Sequence, residues 1–466
     1  MTVYNVSPAQ KRLRRAALVA AACSALAAGS WTSAAEAQGA AEAQSSAGAQ
    51  GAAHAQSTPL TRPTNVAQGQ PPQQPVPAGQ TFEEEIVPQR YANNADVDAF
   101  ITDIAGRYDF DPAALHALFG SVNYSATVVK LVTPSPTPSL KNWRVYQARF
   151  LDPVRINAGV KFWRENRATL ERAYEQFGVP PEVVVGIIGV ETLYGRYMGN
   201  FRVLDALTTL AFDYPNTPNR AEREMTFRKN LEDYLVWTRD AQLDPSSVLG
   251  SYTGAIGIAQ FLPSSIVKYA VDYEGNKHID LRASTADAIG SVAHYLKENG
   301  WANGRPVVWK IAQDAGSIGI AQAAADGQPE PHWPLAQMLR AGMLLDESDI
   351  DMAAEGSTPV TVIDLPSPGR PTEYMLGLQN FYVLTRYNRS FFYALAVYEL
   401  GERVKARMAA ETASASGAAG TNHTADVSGT NGANASNASS TTNTTNTTNT
   451  TNAASSATPT PAAASQ

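Results

Sequence analysis

Glu191 is the residue whose position most strongly indicates chemistry, because it ends an otherwise apolar segment. Residues 183–190 are only valine, isoleucine and glycine, and Glu191 follows them directly. A carboxyl group in this place lies in a water-poor wall, and desolvation raises its pKa toward the range that a general acid needs. The residues also allow a second interpretation, in which Glu191 only closes a core helix and pairs with an arginine such as Arg196. The placement makes an enzyme with Glu191 as a general acid the leading hypothesis, and the residues of this segment alone leave the second interpretation open.

A second segment, 250–265, has the composition of a ligand-binding turn. Gly254, Gly257 and Ala259 are small enough to let the backbone lie against a ligand. Gln260 follows them and offers both an amide donor and an amide acceptor. The alternative is an ordinary loop with tight packing, and the residues alone leave it open.

A third segment, 272–283, resembles the entry of an EF-hand calcium loop. Asp272, Glu274 and Asn276 occupy its first, third and fifth positions, and the backbone carbonyl of His278 occupies the seventh. Lysine stands at the sixth position, where glycine usually makes the turn, and alanine stands at the twelfth, where glutamate usually closes the loop. The pattern therefore predicts either a structural calcium ion or a metal-free polar loop.

The composition argues against several other classes of function. The chain of 466 residues has 43 acidic and 36 basic residues, a net charge of −7, and no basic run, so nucleic acid is not expected as a partner. The six histidines lack the spacing of a zinc site. No glycine-rich loop followed by Lys-Ser or Lys-Thr indicates phosphate binding.

Helical periodicity dominates residues 83–408, the region that we expect to fold. The spacing of apolar residues predicts helices over 94–104, 154–177, 203–210, 222–240, 264–271, 286–299, 334–340 and 373–401, and Pro180 with Pro181 opens another. Strand-like segments are few, and the best are 306–311 and 358–363. The expected fold class is therefore mainly α (α+β), with a small β subdomain inserted within about residues 300–370.

The flanks of this region have compositions that do not build a packed core. Residues 1–37 combine a basic start, an alanine-rich apolar stretch and a small-residue cleavage site, which predicts a secretory signal peptide and a periplasmic protein. Cys23 is either removed with that peptide or is the lipidated residue of an outer-membrane lipoprotein. Residues 38–82 are predicted to be a disordered linker, and residues 409–466 a disordered low-complexity tail.

Several motifs in a fixed order resemble the lytic murein transglycosylase B family. They are Glu191-Thr with Gly195-Arg, Asp205-Ala-Leu, Gly254-Ala-Ile-Gly with Gln260-Phe, Asp287-Ala-Ile-Gly, and Asn380-Phe-Tyr-Val. The resemblance covers about residues 82–401 and implies a lysozyme-like helical core with a helical extension and a small β subdomain. It also implies a peptidoglycan lytic transglycosylase, which cleaves the MurNAc–GlcNAc β-1,4 bond without water and leaves 1,6-anhydromuramic ends.

The resemblance assigns roles to individual residues. Glu191 matches the family's only catalytic acid/base, so the implied chemistry requires no cofactor. Asp287 matches the aspartate that closes the family's modified calcium loop. Positions that line the glycan groove are matched by Tyr146, Arg220, Ser251, Gln260, Tyr295, Tyr387, Asn388 and Tyr393.

The expected partners are peptidoglycan glycan strands, with cell-wall synthesis or division proteins as further partners. The protein itself is expected to be a monomer. Two alternatives stay open. A hydrolytic muramidase would cleave the same bond, but it needs a second carboxylate or a positioned water beside Glu191. A non-catalytic peptidoglycan-binding scaffold is disfavoured because both Glu191 and Gln260 are present.

Overall fold

A computed structural model of the chain describes residues 89–135, 140–346 and 355–420, with side chains as far as residue 413. The predicted signal peptide with Cys23, the linker 38–82 and the tail beyond residue 420 lie outside the described residues. No helix in the described ranges is long and apolar enough to cross a membrane.

Helices account for most of the described chain, as the periodicity predicts. In order they are α1 (Ala95–Tyr108), α2 (Pro112–Gly120), α3 (Ala126–Val132), α4 (Trp143–Ala148), α5 (Pro153–Glu165), α6 (Arg167–Phe177), α7 (Pro181–Thr192), α8 (Val203–Phe212), α9 (Arg220–Asp240), α10 (Pro263–Tyr269), α11 (Thr285–Glu298), α12 (Ala315–Ala324), α13 (Leu335–Arg340), α14 (Gln379–Tyr387) and α15 (Phe391–Gly420).

The strands form two antiparallel sheets. One is the short pair β1 (Phe201–Arg202) and β2 (Leu249–Gly250). The other has the order β3-β6-β5-β4 and contains β3 (Val308–Lys310), β4 (Trp333–Pro334), β5 (Pro359–Leu365) and β6 (Glu373–Gly377). Its apolar side chains, among them Trp309 and Val360, build a small core of their own. The predicted class, mainly α with a small inserted sheet, is confirmed, and the inserted part reaches Gly377.

Polar caps and prolines fix where several helices begin. Asn94 and Asp152 precede α1 and α5, and their side chains accept hydrogen bonds from first-turn amides that have no partner within the helix. Pro153 and Pro181 stand at the first helical position, where a missing N–H costs nothing. These local signals place α5 and α7 as the sequence predicts.

Two predicted helices differ from the structure in extent. The predicted helix 154–177 is divided, because the side-chain amide of Asn166 donates to the Phe162 carbonyl at 2.9 Å and the chain leaves helical geometry there. The predicted helix 373–401 is wrong over residues 373–377, which form β6, and over residues 388–390, which separate α14 from α15. Tyr374 and Leu376 are buried on one face, in the alternation of a strand. At its other end, α15 continues past residue 408, where the tail was expected to begin.

α7 lies at the centre of the main core, and its residues 183–190 are all buried. Glycines allow α15 to approach its backbone closely. A Cβ atom on Gly186 would lie 2.3 Å from the carbonyl oxygen of Val397, and one on Gly401 would lie 2.2 Å from the carbonyl oxygen of Glu182. Because the two backbones are in contact, α7 and α15 hold the side chains at their facing ends in a fixed relation.

Candidate active site

Glu191 lies in the last turn of α7, where the helix is closed by two residues in a left-handed conformation. Leu193 and Tyr194 have φ angles of 50° and 60°, which residues other than glycine seldom adopt. Their amides donate to the carbonyls of Gly189 and Ile188, an arrangement that caps the helix end. The chain therefore turns away directly after Glu191 and leaves its carboxyl group at the edge of the core.

The carboxyl group of Glu191 is partly buried and is held by a tyrosine. The hydroxyl of Tyr393, a residue of α15 with 0% exposure, donates to Glu191 Oε1 at 2.5 Å. Burial raises the pKa of Glu191 to about 7, although the hydrogen bond from Tyr393 lowers it. A carboxyl group with a pKa near neutrality can give up and accept a proton at similar cost. This is the electrostatic setting that the apolar segment predicts.

Two further tyrosines lie in the surroundings of Glu191. The ring of Tyr387 stacks on that of Tyr393, with centroids 6.4 Å apart and planes at 14°, and its hydroxyl donates to the carbonyl of Ala259. Tyr146 approaches from α4. Burial and the nearby charge of Glu191 raise the pKa of all three phenols. They therefore stay neutral, and their hydroxyl groups remain hydrogen-bond donors.

Gln260 is held in a turn that its own side chain stabilises. Its Nε2 donates to the carbonyls of Met198 at 3.1 Å and Gly257 at 2.8 Å. Its φ of 52° is another left-handed value at a residue other than glycine, and such strain is concentrated at functional sites. Among the described residues no hydrogen bond reaches Oε1 of Gln260, so this oxygen is available to a ligand.

Two of the predicted groove residues carry buried polar atoms that have no hydrogen-bond partner in the described part of the chain. They are Oη of Tyr146 and Oδ1 of Asn388. Leaving such an atom unsatisfied costs about 1–3 kcal/mol, and buried polar atoms are normally paired. Tyr146 is electrostatically coupled to Glu191, and Asn388 directly follows Tyr387. Both atoms are therefore suited to bind polar groups of a ligand.

Tyr295 belongs to the aromatic wall behind these residues. Its hydroxyl donates to the carbonyl of Arg386 at 2.6 Å. Its ring packs edge-on against Tyr387 and Tyr269, with centroids 4.9 and 4.8 Å away. The hydroxyl is thus engaged within the protein, and the ring of Tyr295 packs against that of Tyr387. Its contact with a sugar stays a prediction.

Ser251 and Arg220 have hydrogen-bond and ion-pair partners outside this cluster. The hydroxyl of Ser251, a residue with 1% exposure, accepts from the amides of Thr253 and Ala255 and so shapes the turn around it. Arg220 is exposed at the start of α9 and forms an ion pair with Glu224 at 2.8 Å. Their roles in glycan binding stay predictions.

Thr192 belongs to the Glu191-Thr motif, but sequence interpretation gave it no role in this site. Its hydroxyl lies 2.8 Å from the carbonyl oxygen of Ile258, the shorter of its two donor contacts, and 3.3 Å from that of Ile188 in its own helix. The bond to Ile258 joins the end of α7 to the turn that carries Gln260. The signal in the sequence was its place directly after Glu191, where a β-branched polar residue ends an apolar helix.

The predicted calcium loop is closed by its own polar groups. The carboxylates of Asp272 and Asp287 each accept three backbone N–H groups, and Asp287 is 0% exposed. Glu274 accepts from the hydroxyl of Ser284 at 2.8 Å and from the side-chain amide of Asn276 at 3.0 Å. The oxygens expected to bind calcium therefore face N–H and O–H groups.

The side chains of the loop are spread along it, and its turn is made by lysine. Within the described ranges, no three His, Cys, Asp or Glu side chains come together to hold an ion. The amide of His278 donates to Asn276 Oδ1 at 2.8 Å, and Lys277 makes the turn with a φ of 68°. Calcium binding by Asp272, Glu274, Asn276, His278 and Asp287 stays a prediction, and the loop as arranged here satisfies these side chains with its own N–H and O–H groups.

Comparison with known proteins adds a family and several relatives. The family model described as Transglycosylase SLT domain matches residues 92–402. Membrane-bound lytic murein transglycosylase B of Escherichia coli (strain K12) is 38% identical over 325 residues, which cover 67% of this chain and 84% of that protein.

Two solved structures are similar as well. The lytic transglycosylase Slt35 of Escherichia coli, in complex with calcium, has 34% identity and a TM-score of 0.59, over 70% of this chain and 97% of that one. SltB3 of Pseudomonas aeruginosa, in complex with NAG-anhNAM-pentapeptide, has 28% identity and a TM-score of 0.56, over 66% and 78% of the two chains. The matched region contains both the helical core and the small sheet.

Proposed function

Because the chain belongs to the transglycosylase SLT domain family, we propose that Glu191 is the single acid/base of its reaction. The protein is a peptidoglycan lytic transglycosylase with a lysozyme-like, mainly helical fold. The bond cleaved is the β-1,4 bond from MurNAc to GlcNAc, and the products end in 1,6-anhydromuramic residues. The observation that carries the role of Glu191 is its partly buried carboxyl group, with a pKa of about 7 and a hydrogen bond from Tyr393.

In the first step Glu191 acts as the acid. Its carboxyl proton moves to the bridging oxygen of the glycosidic bond, and the bond from that oxygen to the anomeric carbon breaks. The 2-acetamido oxygen of the substrate forms a bond to the anomeric carbon in its place. At this stage Glu191 is a carboxylate, and the hydroxyl of Tyr393 remains in place to donate to it.

In the second step Glu191 acts as the base. Its carboxylate takes the proton from the C6 hydroxyl, whose oxygen attacks the anomeric carbon and displaces the acetamido oxygen. The anhydro ring closes, and Glu191 is again protonated. Both reacting groups come from the sugar, so neither a second carboxylate nor a cofactor is needed. In the described part of the chain, the side chain that hydrogen-bonds to Glu191 is a tyrosine, which favours this route over a two-carboxylate hydrolysis.

The groove residues would orient the glycan strand around Glu191. Oη of Tyr146, Oδ1 of Asn388 and Oε1 of Gln260 are groove atoms that receive no hydrogen bond from the described residues, and we assign to them the hydroxyl and N-acetyl groups of the substrate. The tyrosine faces offer apolar surface for the sugar rings. SltB3 binds a glycan with an anhydro end and a pentapeptide, which is the class of ligand proposed here.

The test is mass spectrometry of fragments released from purified sacculi. Wild-type protein should release fragments that are lighter by one water than hydrolysis products. Glu191→Gln should lose turnover and keep glycan binding, because the amide can occupy the same space but cannot donate the proton. Glu182→Gln is the matched control, since Glu182 lies at the other end of α7 and pairs with Lys405 at 2.7 Å.

The outcomes separate the three functions. Hydrated reducing ends would instead identify a muramidase, and no release by wild-type protein would favour a scaffold. Substantial turnover by Glu191→Gln would refute the assignment of Glu191. Loss of turnover in Glu182→Gln as well would mean that the helix, and not the carboxyl group at its end, had been disturbed.

We further propose that the protein is exported to the periplasm and acts there as a monomer on glycan strands, with cell-wall synthesis or division proteins as further partners. The Escherichia coli relative is named as membrane-bound, which supports a place in the cell envelope. The mature N-terminus distinguishes the two routes: a start at Gln38 fits cleavage of a signal peptide, and a start at a lipid-modified Cys23 fits an outer-membrane lipoprotein.

A further inference from the structure

The turn 257–259 next to Gln260 is fixed by side chains from three segments. Its successive carbonyls accept one such hydrogen bond each: that of Gly257 from Gln260 Nε2 at 2.8 Å, that of Ile258 from Thr192 Oγ1 at 2.8 Å, and that of Ala259 from the hydroxyl of Tyr387. Loops usually satisfy their carbonyls with water or with local backbone. Here two of the three side chains that hold the turn come from elsewhere in the chain. They are Tyr387 of α14 and Thr192 of α7.

Thr192 connects more than the turn. Thr192 is 1% exposed. Its hydroxyl oxygen accepts a hydrogen bond from the N–H of Gly195 at 2.9 Å, and its hydroxyl proton is donated to the carbonyl of Ile258. One hydroxyl therefore joins three backbone segments: the end of α7, the loop that leaves it, and the turn that carries Gln260. Water does not reach this position to replace a lost bond, because the residue is buried.

The backbone around Thr192 gives this bond a mechanical role. Leu193 and Tyr194 follow it in left-handed conformations, which persist only when surrounding contacts hold them. Without the bond, the last turn of α7 has less to keep it in that geometry, and Glu191 lies in that turn. Tyr393 holds the carboxyl group of Glu191, but this bond does not hold the backbone of the turn.

We propose that Thr192 is a positioning residue that sets Glu191 against the turn of Gln260. This rests on the proposed role of Glu191 in the transglycosylase reaction. The substrate is aligned by the turn and receives its proton from the helix end, so the two must keep a fixed separation. A shift of about 1 Å between catalytic and binding groups can lower the rate by about 100-fold.

The test compares Thr192→Val with Thr192→Ser on soluble glycan strands. Valine has nearly the same shape but no hydroxyl, and we expect kcat to fall by about 10- to 100-fold while KM changes by less than about threefold. Serine keeps the hydroxyl and should restore kcat to within about threefold of wild type. Thr208→Val is the matched control, since Thr208 is 0% exposed and its hydroxyl has no partner among the described residues; its kcat should not change.

Each result counts for or against the proposal. Unchanged kcat in Thr192→Val, an equal loss in Thr192→Ser, or an equal loss in Thr208→Val would overturn it. If Thr192→Val is unfolded at the assay temperature, Thr192→Cys, with a weaker donor, takes its place under the same criteria. Failure of the proposed function looks different, because wild-type protein would then release no anhydro products at all.

Discussion

Replacing Tyr393 by phenylalanine would remove the hydrogen bond to Glu191 Oε1 and leave the ring that packs against Tyr387. In the protein, burial raises the pKa of Glu191 to about 7 and the Tyr393 hydroxyl opposes that rise. A hydrogen bond to a charged group contributes about 1.5–3 kcal/mol. At about 1.4 kcal/mol per pKa unit, its loss should raise the pKa of Glu191 by about one to two further units.

This change has a definite sign in the pH dependence of the reaction. The free enzyme must carry a protonated Glu191 to begin, so kcat/KM falls as the pH rises through the pKa of Glu191. In wild-type protein this alkaline limb should lie at about 7, and in Tyr393→Phe it should move to higher pH by about one to two units. At acidic pH the variant should be slower by roughly tenfold, because the carboxylate that forms in the first step has lost its donor.

The assay is the initial rate of anhydro-product release from soluble glycan strands across a pH series. Tyr234→Phe is the matched control: Tyr234 is equally buried, but its hydroxyl donates to the carbonyl of Pro245 at 2.6 Å and not to Glu191. Its alkaline limb should coincide with that of wild type. A limb in Tyr393→Phe that stays in place, or moves to lower pH, would refute the role given to the Tyr393 hydroxyl.

Three further predictions concern stability. Burial raises the pKa of Glu191 from 4.5 to about 7 in the folded state, so the folded protein loses stability as the pH rises through this range and the carboxyl group ionises. Urea unfolding should therefore show that Glu191→Gln is more stable than wild type by about 3 kcal/mol above pH 7, and equally stable below pH 4. Glu232 affects stability in the opposite direction, because Arg107 lowers its pKa from 4.5 to about 2. Its contribution to the free energy of unfolding is present above pH 4.5 and is lost as the pH falls through about 2, so Glu232→Gln should be less stable than wild type by about 2 kcal/mol at pH 7. Because Asp272 and Asp287 face backbone amides, EDTA should leave the melting temperature unchanged; a fall that calcium reverses would show that the loop rearranges around an ion.

The role of Glu191 can be predicted from the sequence because the residues that indicate it are its direct neighbours in the chain. Eight apolar residues before one carboxylate are enough to indicate burial and a raised pKa. Tyr393 is not local: it lies 202 residues away along the chain, and its place beside Glu191 depends on how α15 packs on α7. Periodicity gives no such pairing, and the residue was found only through the resemblance to a family. Thr192 stands in the Glu191-Thr motif of that resemblance, but neither periodicity nor the motif indicates its bond to Ile258, 66 residues away.

The errors in secondary structure have a similar cause. Residues 373–377 have apolar residues at spacings that fit a helix as well as a strand, and pairing with β3 and β5 decides between them. The break at Asn166 depends on a side chain that bonds back to its own helix, which competes with helix continuation at energies that periodicity does not measure. In the calcium-like loop the sequence has the expected oxygen-bearing residues. It does not reveal that Lys277 makes the turn or that Asp287 accepts hydrogen bonds from backbone amides.

The burial of Glu191 raises its pKa into the range that the reaction needs, and it also lowers the stability of the folded protein when the carboxyl group is ionised. A carboxyl group far above neutrality in pKa would donate poorly, and one with an ordinary pKa would be ionised before the substrate arrived. The apolar walls of α7 and α15 supply the rise, and the Tyr393 hydroxyl limits it, so the pKa stops at about 7. At that value donation to the leaving oxygen and recovery of the proton from the C6 hydroxyl carry similar free-energy costs. A single carboxyl group that must serve in both steps is therefore placed where neither step is strongly disfavoured.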